Sequence, residues 1–246
     1  MREESVLVKV MRAIITCVDY ADFLRITLPR VRQHFEEVIV LTGLNDQETM
    51  RVAISDLPPI QSYSRRAYIR GVMADVWAMP ESHADGAALN KGAAIDWVLK
   101  RVKECVSDWV CVLDADIYLP AEMDLSGIHR KHLYSPHRRM MIEPGPIPPE
   151  NDWDALERGP EVRNGEYAGY FHLFHTDDLG SPPWYESPLW RTAQGCDTVF
   201  TMQWGPRFCR RLPFDVLHLG QPRVNWEGRV TPRWECNHGN DARRNQ

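Results

Sequence analysis

Two aspartates, Asp114 and Asp116, stand in the stretch Asp108-Trp109-Val110-Cys111-Val112-Leu113-Asp114-Ala115-Asp116-Ile117-Tyr118-Leu119-Pro120. Five consecutive apolar residues, Trp109 to Leu113, precede the pair. Such a run suits a strand buried on both faces of a parallel sheet. Pro120 cannot continue a central strand. The two carboxylates therefore fall at the carboxyl end of a central strand, where open α/β sheets place their ligands. Carboxylate oxygens are hard ligands for Mg²⁺ or Mn²⁺, ions that commonly hold substrate phosphates too. The competing reading is a solvated turn, because an Asp-x-Asp triplet is short.

The elements that must position this pair follow from hydropathy patterning. Residues 6 to 18, rich in Val and Ile, read as a first strand ending near Thr16 to Val18. Asp19 offers a cap for a helix in which Leu24, Leu28, Val31 and Phe35 recur at helical spacing. Pro29 predicts a kink or local break in it. Glu37 to Thr42 reads as a second strand, which completes a βαβ unit. A short helix is expected over Asn45 to Ile54, and a third strand within residues 60 to 85. Ala94, Ile95, Val98, Leu99, Val102 and Val106 form one apolar stripe, the mark of a helix leading into the central strand. After Pro120 the alternation fades. Strands are expected at Arg138 to Ile142, Tyr167 to His175 and Pro213 to Leu219, and a helix at Cys196 to Trp204. This predicts one α/β domain, residues 1–246, with a βαβ half over 1–120 and a loop-rich mixed half over 121–246.

The composition agrees. The chain has 246 residues, 43% hydrophobic and 26% charged, an ordinary globular balance with length enough for a sizeable core. No apolar run is long enough to span a membrane. The charged start Met1-Arg2-Glu3-Glu4 is unlike a signal peptide. Six cysteines without a Cys-x-x-Cys pair read as reduced thiols of a cytoplasmic protein. Cys236-x-His238 has no second pair with which to bind zinc. Residues 201–246 hold eight arginines against four acids, +4, which leaves −9 of the total −5 on the first 200 residues. A basic segment on an acidic body points to an anionic ligand, or to a solvated tail.

Several stretches together resemble the GT-A glycosyltransferases, which move sugars from nucleotide-diphosphate donors. They are Ala13 to Tyr20 with its helix and Val38 to Thr42, Leu89-Asn90-Lys91-Gly92-Ala93, and Val112-Leu113-Asp114-Ala115-Asp116. Gly195 to Phe200, Val216 to Gly220 and Asn225-Trp226-x-Gly228-Arg229 are similar to later parts of that family. The resemblance implies a GT-A-like fold with a mostly parallel central sheet. It implies Mn²⁺ or Mg²⁺ held by Asp114, Asp116 and His218, and a donor, a UDP-sugar by preference, contacted by Thr16, Asp19, Asn90, Lys91, Asp114, Asn225 and Arg229. It implies Asp197 as general base on the acceptor hydroxyl, with Glu143 as the second candidate. The chemistry is coherent: a divalent ion stabilises the charge that grows on a leaving diphosphate. Each residue also has a plainer role to play. His218 can be a packed histidine, Asp197 a helix cap, and the arginines surface charges. Tyr170, Phe171, Trp184, Tyr185 and Trp190 can stack on a sugar or base, or form core. The chain departs from the family where the second strand ends Leu41-Thr42-Gly43, with Asp46 the nearest acid to read a base.

Two other functions compete. One is a nucleotidyltransferase on a similar scaffold, although no Gly-rich loop follows Val18. The other is a non-catalytic module that binds nucleotide sugars or glycans. The acceptor is open between a carbohydrate and DNA, because phage-type enzymes of this compact size glycosylate hydroxymethylated pyrimidines. His129-Arg130-Lys131-His132, His137-Arg138-Arg139 and the late arginines are basic clusters near aromatics, as a nucleic-acid acceptor requires.

Overall fold

The computed structural model describes residues 11–43, 45–55, 66–69, 72–79, 90–105, 107–159, 169–186, 193, 195–221, 229 and 231–234, with 66–69, 72–79 and 105 as backbone alone. The first half alternates strand and helix. Strand β1 (Met11–Thr16) leads to helix α1 (Ala21–His34), β2 (Glu37–Gly43), α2 (Gln47–Ile54), β3 (Arg66–Ile69), β4 (Val72–Met79), α3 (Lys91–Cys105) and β5 (Trp109–Asp114). The second half adds β6 (Ile117–Tyr118), β7 (Leu133–Met141), β8 (Phe171–His175), α4 (Cys196–Trp204) and β9 (Cys209–Leu219). All nine strands join one sheet in the order β3-β4-β2-β1-β5-β8-β7-β9-β6.

Strands β4, β2, β1 and β5 run parallel to one another, as the sequence predicts for the first half, while β3 is antiparallel to β4 at the edge. Beyond β5 the sheet is mixed: β8 is antiparallel to β5, β7 pairs antiparallel with β8 and parallel with β9, and β6 is antiparallel to β9. Side chains alternate between two cores, as strand geometry demands. Ala13, Ile15, Val38, Val40, Cys111 and Leu113 pack with α1 and α2. Ile14, Ile39, Leu41, Val110 and Val112 pack with α3 and α4. The sheet is therefore sandwiched between helices, an α/β arrangement with both faces of β5 covered.

Several expectations need correction. Helix α1 runs unbroken through Pro29. A proline inside a helix costs about 3 kcal/mol. Burial of Phe23, Leu24, Leu28 and Val31 outweighs that at roughly 1.5–3 kcal/mol for each such side chain. Asp19 does not cap α1: Tyr20 holds the cap position without a side-chain bond, and Asp19 sits at φ 61°. Strand β9 begins at Cys209, before Pro213, and β7 begins at Leu133, before Pro136. The register between them slips between Ser135 and His137, opposite the Arg211 to Asp215 segment. Both prolines thus sit at a bulge, where a missing N–H is tolerated. Tyr170, Phe171, Trp184 and Tyr185 are buried core residues and no exposed stacking platform, while Trp190 lies outside the described residues.

Candidate functional site

The parallel register sets Thr16 of β1 beside Asp114 of β5, so both lie at the carboxyl edge of the sheet. The Asp114 N–H donates to the Tyr170 carbonyl at 3.1 Å, and Thr27 Oγ1 of α1 donates to the Ala115 carbonyl at 2.8 Å. The turn that carries Asp116 is thereby pinned from both sides. Ile117 pairs with His218, and the Leu219 N–H donates to the Asp116 carbonyl at 2.9 Å. A residue a hundred positions away is thus brought to the aspartate turn.

Asp114 does not stand open. The Lys91 ammonium, from the first residue of α3, lies 2.7 Å from Asp114 Oδ1 and 3.4 Å from Asp197 Oδ1. Asn90 precedes it as the helix cap, its Oδ1 accepting from the Ala93 N–H at 3.2 Å. Asp197, in the first turn of α4, makes no cap bond, so its carboxylate is free to face Lys91. Gly169 makes room for it: a Cβ there would stand 1.7 Å from Asp197 Cγ. Burial would lift the Asp197 carboxyl, yet the Lys91 charge, helped by His172, holds it below the ordinary value. Burial would lower Lys91, but Asp114 and Asp197 keep it well above its usual range. Asp114, although nearer the ammonium, is raised by burial and by the Asp197 charge.

Asp116 and His218 form a second group. Burial, with the Asp114 charge added, pushes Asp116 up to about 7. Burial and the Arg138 charge push His218 down to about 3, so its ring is neutral at physiological pH. Asp116 Oδ2 lies 3.9 Å from His218 Nε2, too far for a hydrogen bond. Asp116 Oδ1 and His218 Nδ1 are buried without a hydrogen-bond partner among the described residues. The predicted three-ligand set therefore does not assemble as such, because Asp114 is turned to Lys91. Among the described residues no three His, Cys, Asp or Glu side chains lie together as a preformed ion site. A carboxylate and a neutral imidazole side by side are nevertheless of a chemical type that would suit an Mn²⁺-type ion.

The remaining predicted residues fare differently. Arg229 is not an open phosphate clamp. Its Nη1 and Nη2 reach Asp22 Oδ1 and Oδ2 at 2.6 and 2.7 Å, and its other donors go to the carbonyls of Asp19, Thr231 and Pro232. All five guanidinium hydrogens are committed. Asp19 is likewise engaged, its N–H donating to Asp46 Oδ2 at 2.7 Å and its carboxylate 3.3 Å from Arg233. Asp46 in turn accepts from Thr42 and Thr49, which occupies the one acid near the end of β2. Glu143 lies exposed, two residues past the end of β7. Asn225 and Arg223 fall outside the described residues.

Of the basic clusters, His129 to Lys131 are exposed, and Arg138 and Arg139 are buried. Arg130 pairs with Asp177 and Asp178, and Arg139 is buried between Asp154 and Asp215. Arg138 is buried as well, its guanidinium 4.8 Å from the centre of the Tyr170 ring. Arg130 and Arg139 are thus neutralised within the protein, whereas His129 and Lys131 are exposed and Arg223, Arg243 and Arg244 lie outside the described residues.

Sequence reasoning missed three residues of this site. Arg138 reads in the sequence only as part of a basic cluster; alternation in a strand buried on both faces is the signal that Arg138 and Arg139 point to opposite sides, both inside. Tyr20, whose hydroxyl is raised by burial and the Asp116 charge, and Gly169 carry no signal in one sequence. Among the described residues no helix is long and apolar enough to cross a membrane. No model of a known protein family matches the chain, and no curated protein is similar to it.

Proposed function

We propose that the chain is a glycosyltransferase that moves a sugar from a nucleotide-diphosphate donor, a UDP-sugar by preference, to an acceptor hydroxyl, with a divalent ion assisting. One observation carries this reading: four separate stretches of chain deliver Asp114, Asp116, Lys91, Asp197 and His218 to the carboxyl edge of the central parallel strands. That edge is the ligand position of open α/β sheets.

Asp116 and His218 are the residues that would hold the ion. When bound, the ion offsets the negative charge that develops on the leaving diphosphate. Lys91 keeps Asp114 and Asp197 fixed and keeps Asp197 ionised. Asp197 is then an ionised carboxylate on the α4 side of the centre, and it is our candidate to take the acceptor proton or to balance positive charge at the sugar carbon. Glu143 is the reserve candidate for that proton. We take a carbohydrate hydroxyl as the acceptor, since Arg130 and Arg139, two of the arginines expected to meet DNA phosphates, are bonded within the protein.

The test is to incubate the chain with the common sugar nucleotides, with and without Mn²⁺, and to follow both thermal stabilisation and release of nucleoside diphosphate. Stabilisation follows binding by mass action. Mn²⁺-dependent release that Asp116→Asn abolishes is the expected result. Binding without release would make the chain a nucleotide-sugar-binding module. No stabilisation by any sugar nucleotide or nucleoside diphosphate would retire the reading.

A further inference from the structure

We infer that Arg138 is a binding residue for the donor, grasping the oxygens of its diphosphate from the β7 side of the centre. The inference rests on the glycosyltransferase reading for its choice of anion. It starts from strand geometry. Arg138 pairs with Val216, and Met140 pairs with His218, so Arg138 and His218 lie on one face of the sheet. They are separated by two residues along the strands, roughly 6–7 Å.

The side chain is held in a slot. On one side lies Gly159, where an added Cβ would come within 2.5 Å of Arg138 Nε and 2.6 Å of its Cγ. On the other lies Tyr170, whose ring stacks under the guanidinium. The carbonyl of that same Tyr170 accepts the Asp114 N–H, so the residue that walls Arg138 is tied to the end of β5. The Tyr170 hydroxyl is itself fixed, donating to the Pro136 carbonyl at 2.6 Å. Arg138 is only 7% exposed, yet its charge is felt at Asp114, Asp116 and His218. A buried arginine whose stem is walled by a glycine and an aromatic ring loses little freedom on binding, and its planar head suits phosphate oxygens.

Charge at this edge suits a phosphate anion. Among the described residues Lys91 lies against Asp114 and Asp197, and the Arg138 charge reaches Asp114 and Asp116.

The experiment measures binding of UDP, uridine and inorganic pyrophosphate, each with Mn²⁺, to the full chain and to Arg138→Lys and Arg138→Met. Loss of charge-assisted hydrogen bonds should weaken UDP and pyrophosphate by roughly 10- to 100-fold in Arg138→Met, and by less in Arg138→Lys. Uridine, which lacks phosphate, should bind all three proteins alike. Melting temperature is the control for folding, and Arg138→Lys keeps the charge should the methionine variant fail to fold. Unchanged UDP affinity in a folded Arg138→Met would overturn the inference while leaving the glycosyltransferase reading intact. So would normal UDP binding with a loss confined to acidic acceptors. Pyrophosphate binding that depends on Arg138, in a chain that ignores UDP, would support the anion site and count against the glycosyltransferase reading.

Discussion

Replacing Arg229 by methionine separates a structural strut from a phosphate clamp. Methionine keeps much of the stem and removes the charge. Asp22 would then be left in a site where its side chain is 7% exposed, with the Trp234 N–H as its remaining described partner. Breaking one half of a buried ion pair costs about 3–5 kcal/mol. For a chain of this size that is a fall in melting temperature of roughly 6–20 °C, at about 2–4 °C per kcal/mol. The loss should depend on pH. In the wild type burial tends to raise Asp22, but the Arg229 bonds and the Trp234 N–H outweigh it and hold the carboxyl below its ordinary value. That stability is present above the unfolded pKa and is lost as pH falls through the folded one. In Arg229→Met burial is unopposed, so the folded variant gains a proton more readily than the unfolded chain. The difference between variant and wild type should therefore be large at pH 8 and shrink towards pH 5. Urea denaturation at the two pH values measures it. Adding Asp22→Asn, which removes the stranded charge, should recover part of the loss. A variant as stable as wild type at both pH values, with UDP affinity down tenfold or more, would refute this reasoning and restore the phosphate role that the sequence suggests.

Other outcomes follow from the same geometry. Gly169→Ala should cut transfer by about 10²-fold through displacement of the Asp197 carboxylate, with donor affinity unchanged in calorimetry; an equal loss of donor affinity would count against Asp197 as an acceptor-side residue. Lys91→Met should strand Asp114 and Asp197, costing roughly 3–5 kcal/mol at pH 8 and less in acid, where the carboxylates protonate; a flat pH response of its melting temperature would speak against the shared ion pair. Asp116, folded at about 7 and unfolded at about 3.9, favours the folded state less as pH rises between those values. Asp116→Asn, in chelator, should therefore stabilise the chain at pH 8, by at most roughly 4 kcal/mol, with the gain fading towards pH 4; destabilisation at pH 8 would contradict a raised carboxyl. Duplex DNA with 5-hydroxymethylated pyrimidines should show no salt-sensitive binding, because Arg130 and Arg139 are paired within the protein; a steep salt slope in a filter-binding titration would reopen the nucleic-acid acceptor.

What could be read beforehand divides at Pro120. The parallel half was legible because its signals are local: the apolar run of β5, the stripe of α3, and the short βαβ spacing from β1 to β2. Asp114 and Asp116 followed directly from where that run stops. His218 stands near the end of an apolar stretch, but it could be joined to Asp116 only through a resemblance, since the pairing of Ile117 with His218 spans about a hundred residues. Partners of charged side chains were the least legible. Nothing in Arg229 or Arg130 as letters tells whether an acid of the same chain already holds it; Asp22 and Asp178 are chosen by tertiary packing. The starts of β7 and β9 were hidden for a different reason: Pro136 and Pro213 read as breaks, and only a bulge shared by the two strands makes both acceptable.

One further link has mechanical consequences. Asp96, one turn into α3, accepts the N–H groups of Trp184, Tyr185 and Glu186 at 2.9, 2.8 and 3.0 Å. Gly92 lies flush against the Tyr185 carbonyl, which an added Cβ would approach to 2.7 Å. Residues 184–186 therefore have no ladder of their own, yet their amides are closed off by a helix side chain. They should exchange hydrogen as slowly as the helix interior and open only when α3 opens, as one cooperative unit. Lys91 sits at the head of that unit. Any displacement of the segment would be felt at the ammonium, so chain insertions should be tolerated at the exposed pair 126–127 and rejected at 184–186.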